Sequence, residues 1–322
     1  MGLLTSWLGT IYHSVQARNM GFSGTGSEFA NYRLTHDLDG FVPDLVFLEF
    51  TVNDAGSGRA HIFAQVDALI YRLRQINPRT KFIYISTTAS SEEPQRRAGS
   101  HAAFVQDSID VAAFEGIPFI DATSGMWAKV LAGTASTTDF LTDTVHPNDA
   151  GHEIYFESIR DGLAPMLPLP VQPSVTGSKL IAQSKLQNAR FEPGTAAVGC
   201  KPATLTMGYM NEAKTCDLGD TFTYTFTGTT VGVLRAMTRD GGRMECLVDG
   251  ANPMRVDFYD AIANTWQRPF PYMIYRGLAD AQHTLSCRIT ADLITLPEGT
   301  STGHLATIGY FLVSSEQPVT LP

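Results

Sequence analysis

The stretch Asp44-Leu-Val-Phe-Leu-Glu-Phe-Thr-Val-Asn-Asp54 decides the fold. Its first seven residues form an almost unbroken apolar run, the pattern of a strand buried on both faces of a parallel sheet and not of one alternating between core and water. Directly behind it stands Val52-Asn53-Asp54, polar side chains at the carboxyl end of a strand, where open α/β sheets collect their ligands. Two further runs, Lys81-Phe-Ile-Tyr-Ile-Ser86 and residues 117–121, repeat the pattern. Around them apolar residues fall at helical spacing, which predicts helices near 2–15, 28–39, 61–76, 100–115 and 148–163. A Gly-rich loop over 19–27 is expected to follow a short strand and to open the second helix. Strands and helices in alternation predict a parallel sheet with helices on both faces.

The chain is 322 residues long, more than one hydrophobic core usually organises, so a second folding unit is expected. Residues 166–178, MLPLPVQPSVTGS, hold three prolines and no charge, and read as a stiff connector between domains over 1–165 and 179–322. Beyond it, short apolar runs at 221–226, 231–234, 244–248, 284–289 and 308–313 sit between Gly, Asp and Pro punctuation, the pattern of an all-β sandwich of jelly-roll type. Nearly all of the net charge of -9 lies in the first 165 residues. No basic run with interleaved aromatics marks a surface for nucleic acid, and no apolar stretch approaches the roughly 18 residues of a membrane span. Cys200, Cys216, Cys246 and Cys287 all lie in the second half, an even count that suits two disulfides in an oxidising compartment; free buried thiols are the plainer alternative.

Four features of the first half carry candidate chemistry. Asn19-Met-Gly-Phe-Ser-Gly-Thr-Gly-Ser27 allows close backbone approach and can aim amides at negative charge, although a simple turn needs the same glycines. Asn53-Asp54 places an amide and a carboxylate behind the first strand, where an Asx turn is the simpler reading. In Asp143-Thr-Val-His146-Pro147 a carboxylate three residues from a histidine can take its Nδ1 proton, leaving Nε2 as a general base. Gly151-His152 opens the closing helix, and His152 is read as structural.

Together these residues resemble the SGNH (GDSL-like) hydrolases. Asn19-x-Gly-x-x-Gly24 resembles the family's second block, Asn53-Asp54 its third and Asp143-x-x-His146-Pro147 its fifth. The resemblance covers residues 1 to about 165 and implies a flavodoxin-like sheet. It also implies an oxyanion hole built from the Gly24 N–H and the Asn53 side chain, and a triad whose acid and base are Asp143 and His146. The second half is similar to β-sandwich modules appended to carbohydrate-directed esterases of this family.

Two positions depart from the pattern. Thr51 stands where the third block begins with glycine. The first block, a Gly-Asp-Ser or Gly-Gly-Ser that carries the nucleophile at the end of the first strand, belongs upstream of the first helix, and here that helix starts at Met1. Ser6, Ser23 and Ser27 do not take its place, since a nucleophile sits on a strained strand-to-helix turn within reach of its base. No nucleophile is therefore assigned, and the sequence is expected to have lost its natural start. Without that central strand its neighbours would leave ladder groups unpaired, at about 1–3 kcal/mol each.

The resemblance implies a serine esterase that removes short acyl groups, acetyl above all, from a carbohydrate or small ester. It needs no cofactor and no metal, and its cysteines suggest secretion. As written, the chain is expected to be inactive. The alternatives are a carbohydrate-binding protein on the same scaffold, and a metal hydrolase using Asp143, His146 and His152. In the second half Phe258, Tyr259, Trp266, Phe270, Tyr272 and Tyr275 form a sugar surface or a sandwich core.

Overall fold

The computed structural model describes residues 2–169 and 179–321. The chain divides into two compact units, one of Met1–Ala30, Asp37–Ile181 and Val319–Pro322, the other of Asn31–His36 and Ala182–Pro318.

The first unit is built on a parallel sheet of β1 (Leu45–Leu48), β2 (Lys81–Ser86) and β3 (Phe119–Asp121), in that order, with Leu45 opposite Lys81 and Tyr84 opposite Phe119. Its helices are α1 (Gly2–Gly9), the two ends of α2 (Ser27–Leu38), whose middle Asn31–His36 is counted with the second unit, α3 (Arg59–Ile76), α4 (Glu93–Arg97), α5 (Ala103–Glu115), α6 (Ser124–Leu131) and α7 (Asp149–Leu163). The central strand β2 is buried along nearly its whole length, which its apolar sequence requires. On one face Ile83 and Ile85 share a core with Leu8 of α1, Met126 and Trp127 of α6, and Ile154 and Leu163 of α7. On the other, Phe82 lies under the Arg74 guanidinium of α3 and Tyr84 beside Ser108 of α5. Helices cover both faces, as the alternation predicts.

The departures are local. Helix α1 stops at Gly9, because the Thr10 amide and hydroxyl both donate to the Trp7 carbonyl and close the last turn. Residues 14–22 run without regular structure where a short strand was predicted ahead of the loop. Among the described residues β1 pairs with β2 on one side and with no strand on the other, and Leu45, Val46 and Phe47 are only half-buried. Of the predicted connector, Leu169 packs into the α/β core, with Met166 and Leu167 against it, while 170–178 lie outside the described residues.

The second unit holds two antiparallel sheets. Its strands are β4 (Arg190–Pro193), β5 (Val198–Gly199), β6 (Lys201–Ala203), β7 (Ala213–Cys216), β8 (Thr221–Gly228), β9 (Thr230–Met237), β10 (Arg243–Val248), β11 (Ala251–Asp257), β12 (Arg268–Tyr275), β13 (Ala281–Ile289), β14 (Thr295–Leu296), β15 (Gly299–Thr300) and β16 (Ala306–Ser314). One sheet runs β11-β10-β13-β8-β5 and the other β12-β9-β16-β7-β6, with β4 on β16 and β14-β15 as a separate pair. Strand β8 alternates perfectly: Phe222, Tyr224 and Phe226 are buried and the threonines between them exposed. A single core joins both sheets, and Tyr224 of one stacks on Phe311 of the other with ring centroids 3.7 Å apart. This is the expected β-sandwich.

All four cysteines are bridged, Cys200 to Cys216 and Cys246 to Cys287. The second bridge joins residues directly opposite each other on β10 and β13. The aromatic set divides: Phe258, Tyr259 and Tyr275 are core, Phe270 and Tyr272 half-buried, and Trp266 is 52% exposed. Half of the sugar-surface reading is thereby corrected, since the Tyr275 hydroxyl is spent on the Cys246 carbonyl inside the sandwich.

Candidate active site

The candidate residues of the first unit lie on three loops, one ahead of α2, one behind β1 and one leading into α7. The loop ahead of α2 is shaped by its own side chains. The Asn19 carbonyl oxygen Oδ1 accepts the Gly21 amide at 2.9 Å, and the Thr25 hydroxyl donates to the Phe22 carbonyl at 2.8 Å. Gly24 sits at φ 71°, in the left-handed region that costs a side-chain-bearing residue energy. Its amide has no partner among the described residues.

This loop is locked to the turn behind β1. Asp54 is buried and its Oδ1 accepts the Ser27 amide at 2.9 Å, so a carboxylate caps the first turn of α2, where the helix dipole favours negative charge. Burial pushes the Asp54 carboxyl above its ordinary range, against the pull of its bonds to Ser27. The approach is so close that a Cβ on Gly26 would stand 1.9 Å from Asp54 Oδ1. Asn53, one residue earlier, is exposed. The second and third sequence blocks are thus neighbours in space.

In the third feature Asp143 organises a tight turn around itself. Its Oδ1 accepts the amides of Val145 at 2.7 Å and His146 at 2.8 Å, and its Oδ2 lies 2.8 Å from His146 Nδ1. A carboxylate at that distance fixes the proton on Nδ1 and leaves the Nε2 lone pair outward. The His146 amide, its ring and the Val145 amide together hold the Asp143 carboxyl well below the usual carboxylate range. Both side chains are open to solvent, at 75% for His146 and 53% for Asp143. The Thr142 amide donates to the His146 carbonyl, and Asn148, whose Oδ1 caps α7 through the Gly151 amide, anchors the far end. Among the described residues no hydroxyl is hydrogen-bonded to His146 Nε2. Ser27 is fully buried and Ser23 exposed on the loop; His152 is exposed on the first turn of α7.

Sequence reasoning missed what surrounds these residues. Glu49 Oε1 accepts from the Thr51 amide at 3.1 Å and the Thr87 hydroxyl at 2.8 Å, joining the ends of β1 and β2. Behind β2 a chain of ion pairs runs from Glu92 through Arg96 to Asp121 at the end of β3, at 2.8 and 2.7 Å. The i,i+4 spacing of Glu92 and Arg96 was the one signal of it in the sequence.

Compared with known proteins, residues 1–154 match the family described as GDSL-like lipase/acylhydrolase. The solved structure of a two-domain esterase active on acetylated mannans, co-crystallised with mannopentaose, superimposes with a TM-score of 0.79 at 18% sequence identity. That match covers 98% of this chain and 85% of the esterase. A second structure of such an esterase gives 0.78 at 18% identity, over the same shares of the two chains. At this identity the likeness is one of fold. No curated protein sequence matches the chain.

Proposed function

We propose that the chain is an ester hydrolase of the GDSL-like lipase/acylhydrolase family, which residues 1–154 match, and that its substrate is a short acyl ester, acetyl above all, carried on a carbohydrate. The observation that carries the reading is the Asp143–His146 pair: a 2.8 Å contact to Nδ1, with the other carboxylate oxygen pinned by two amides. His146 acts as general base on the attacking hydroxyl and returns the proton to the leaving sugar oxygen. Asp143 holds the ring in register and stabilises the imidazolium. The unpartnered Gly24 amide and the exposed Asn53 side chain are the donors for the tetrahedral oxyanion. Removing one such donor typically costs 10²- to 10³-fold in rate. Water activated by His146 then releases the acyl group.

Support for the carbohydrate comes from the fold shared over both units with an esterase described as active on acetylated mannans. The two disulfides suit an oxidising compartment, and we assign the protein to one. The domain division at 166–178 is proposed on the same basis, as the seam between an esterase and an accessory sandwich.

The test is acetate release from acetylated mannooligosaccharides by the protein carrying the family's serine-bearing first block, since none of residues 1–322 is assigned as the nucleophile. His146→Ala is expected to lower kcat by about 10²- to 10⁴-fold, the range for a general base. An unchanged rate would discard the assignment. The second reading, a carbohydrate-binding protein, is favoured by one observation: none of the described hydroxyls engages His146 Nε2. It predicts affinity for the same oligosaccharides with no acetate released, and isothermal titration beside the esterase assay separates the two.

A further inference from the structure

The turn that carries Asp143 and His146 is exposed, and bonds of its own hold it only locally. Among the described residues one hydrogen bond reaches it from the loop behind β2: the Ser90 amide donates to the Thr144 carbonyl at 2.8 Å. Ser90 opens the single 3₁₀ turn Ser90–Glu92 behind β2. That turn is fastened from below. The Glu92 side chain is completely buried; its Oε2 accepts the Thr88 hydroxyl at 2.5 Å and its Oε1 the Arg96 Nε at 2.8 Å, with His101 Nδ1 at 3.3 Å. Arg96 continues to Asp121 at 2.7 Å, and Asp121 is in turn fixed by the amide and hydroxyl of Thr123. The Arg96 guanidinium lies over Trp127, within the core.

Resting on the reading of Asp143 and His146 as the acid and base, we propose that the Ser90 peptide N–H, held by the Glu92–Arg96–Asp121 chain, is a positioning group for His146. It fixes Thr144 between the two catalytic side chains, so the turn cannot open and let the imidazole swing away from Asp143. The ion pairs are nearly dry, with Arg96 at 11% and Asp121 at 16% exposure, which makes the anchor stiffer than a surface pair. The side chain of Ser90 has no part in this.

A proline at position 90 removes the donor and little else. Ser90 is the first residue of its turn, where proline's missing N–H and fixed φ are tolerated. Ala89 before it is already extended, at φ -116° and ψ 150°, as a residue preceding proline must be. In ¹⁵N-labelled full-length protein, two-bond ¹H–¹⁵N correlation spectra read the His146 tautomer directly. The wild type is expected to show the Nδ1–H form alone, and Ser90→Pro a mixture, with about tenfold lower kcat and KM within twofold. Ser90→Ala, which keeps the N–H, retains the single tautomer. A Ser90→Pro protein with the wild-type melting temperature and an unmixed Nδ1–H form overturns the proposal. If that variant does not fold, Arg96→Gln against Arg96→Lys decides it: mixing in the first and recovery in the second are expected, and an unmixed tautomer in Arg96→Gln overturns it. Should the wild type release no acetate, the esterase reading fails while the tautomer measurement still judges the clamp.

Discussion

Asn53 and Asp54 are adjacent in sequence and opposite in fate. Asp54 turns inward to the amide of Ser27, and Asn53 is left facing solvent with its amide unengaged. Read from the sequence, the two formed one motif; only the fold separates an anchor from a donor, because the partner of Asp54 lies 27 residues away. Asp143 and His146 were legible for the opposite reason, being three residues apart inside one turn. In the sequence Gly26 is one glycine among several in a Gly-rich loop, whereas in the fold its hydrogen is what lets Asp54 reach the helix. Gly26→Ala is expected to cost at least about 1–3 kcal/mol in urea unfolding, the usual range for overpacking. It should also reduce acetate release by displacing Gly24. A variant as stable as the wild type would mean that the loop gives way freely at this contact.

At the scale of elements, α3, α5 and α7 were found within a few residues of their ends, because each runs long enough for the 3.6-residue period to repeat. Helices α4 and α6, at 5 and 8 residues, show too few turns for a period to register. Helix α1 was overrun because Ile11 continues the apolar spacing, but Ile11 is 46% exposed beyond the Thr10 cap.

One element junction titrates. At the end of α5 Glu115 is buried against Asp67 of α3, which also accepts the amides of Lys179 and Leu180 at 2.9 and 3.3 Å. Burial first, then the Asp67 charge, push the Glu115 carboxyl up to about 8, against the attraction of Lys179 and Arg74. The helix dipole at a C-terminus opposes the carboxylate further. A carboxyl whose folded pKa is raised binds its proton more tightly in the native state, so stability is highest below the unfolded value of 4.5 and falls as pH rises toward about 8. Glu115→Gln should flatten this fall in thermal melts taken between pH 5 and 8. His283 works in the same direction: the Ala279 carbonyl and Asp249 hold its proton and raise its pKa, so its contribution is complete below 6.5 and is lost as pH climbs through the raised value. An undiminished slope in Glu115→Gln would assign the dependence to other groups.

For the whole molecule, the change of pattern from apolar runs with helical spacing to short punctuated strands was enough to read two kinds of fold in one chain. The pairing order of the sandwich was not, since β16 joins partners as distant in sequence as β4 and β9, and no local signal encodes such pairings. The cysteine count gave the number of bridges, and the sheet register their partners. Both bridges belong to the second unit, closing loops of 16 and 41 residues. Each is expected to contribute about 2–4 kcal/mol there. Paired Cys246→Ala and Cys287→Ala should lower the calorimetric transition of the sandwich while leaving that of the α/β unit in place; a shift of both together would mean that the units melt as one. The same asymmetry reaches the fermentation vessel. In a host's reducing cytoplasm the esterase-like half has no covalent need unmet and the other half has two. Such a preparation should carry a sound α/β unit joined to a destabilised sandwich that draws the whole chain into aggregates, and export to the periplasm should recover soluble protein.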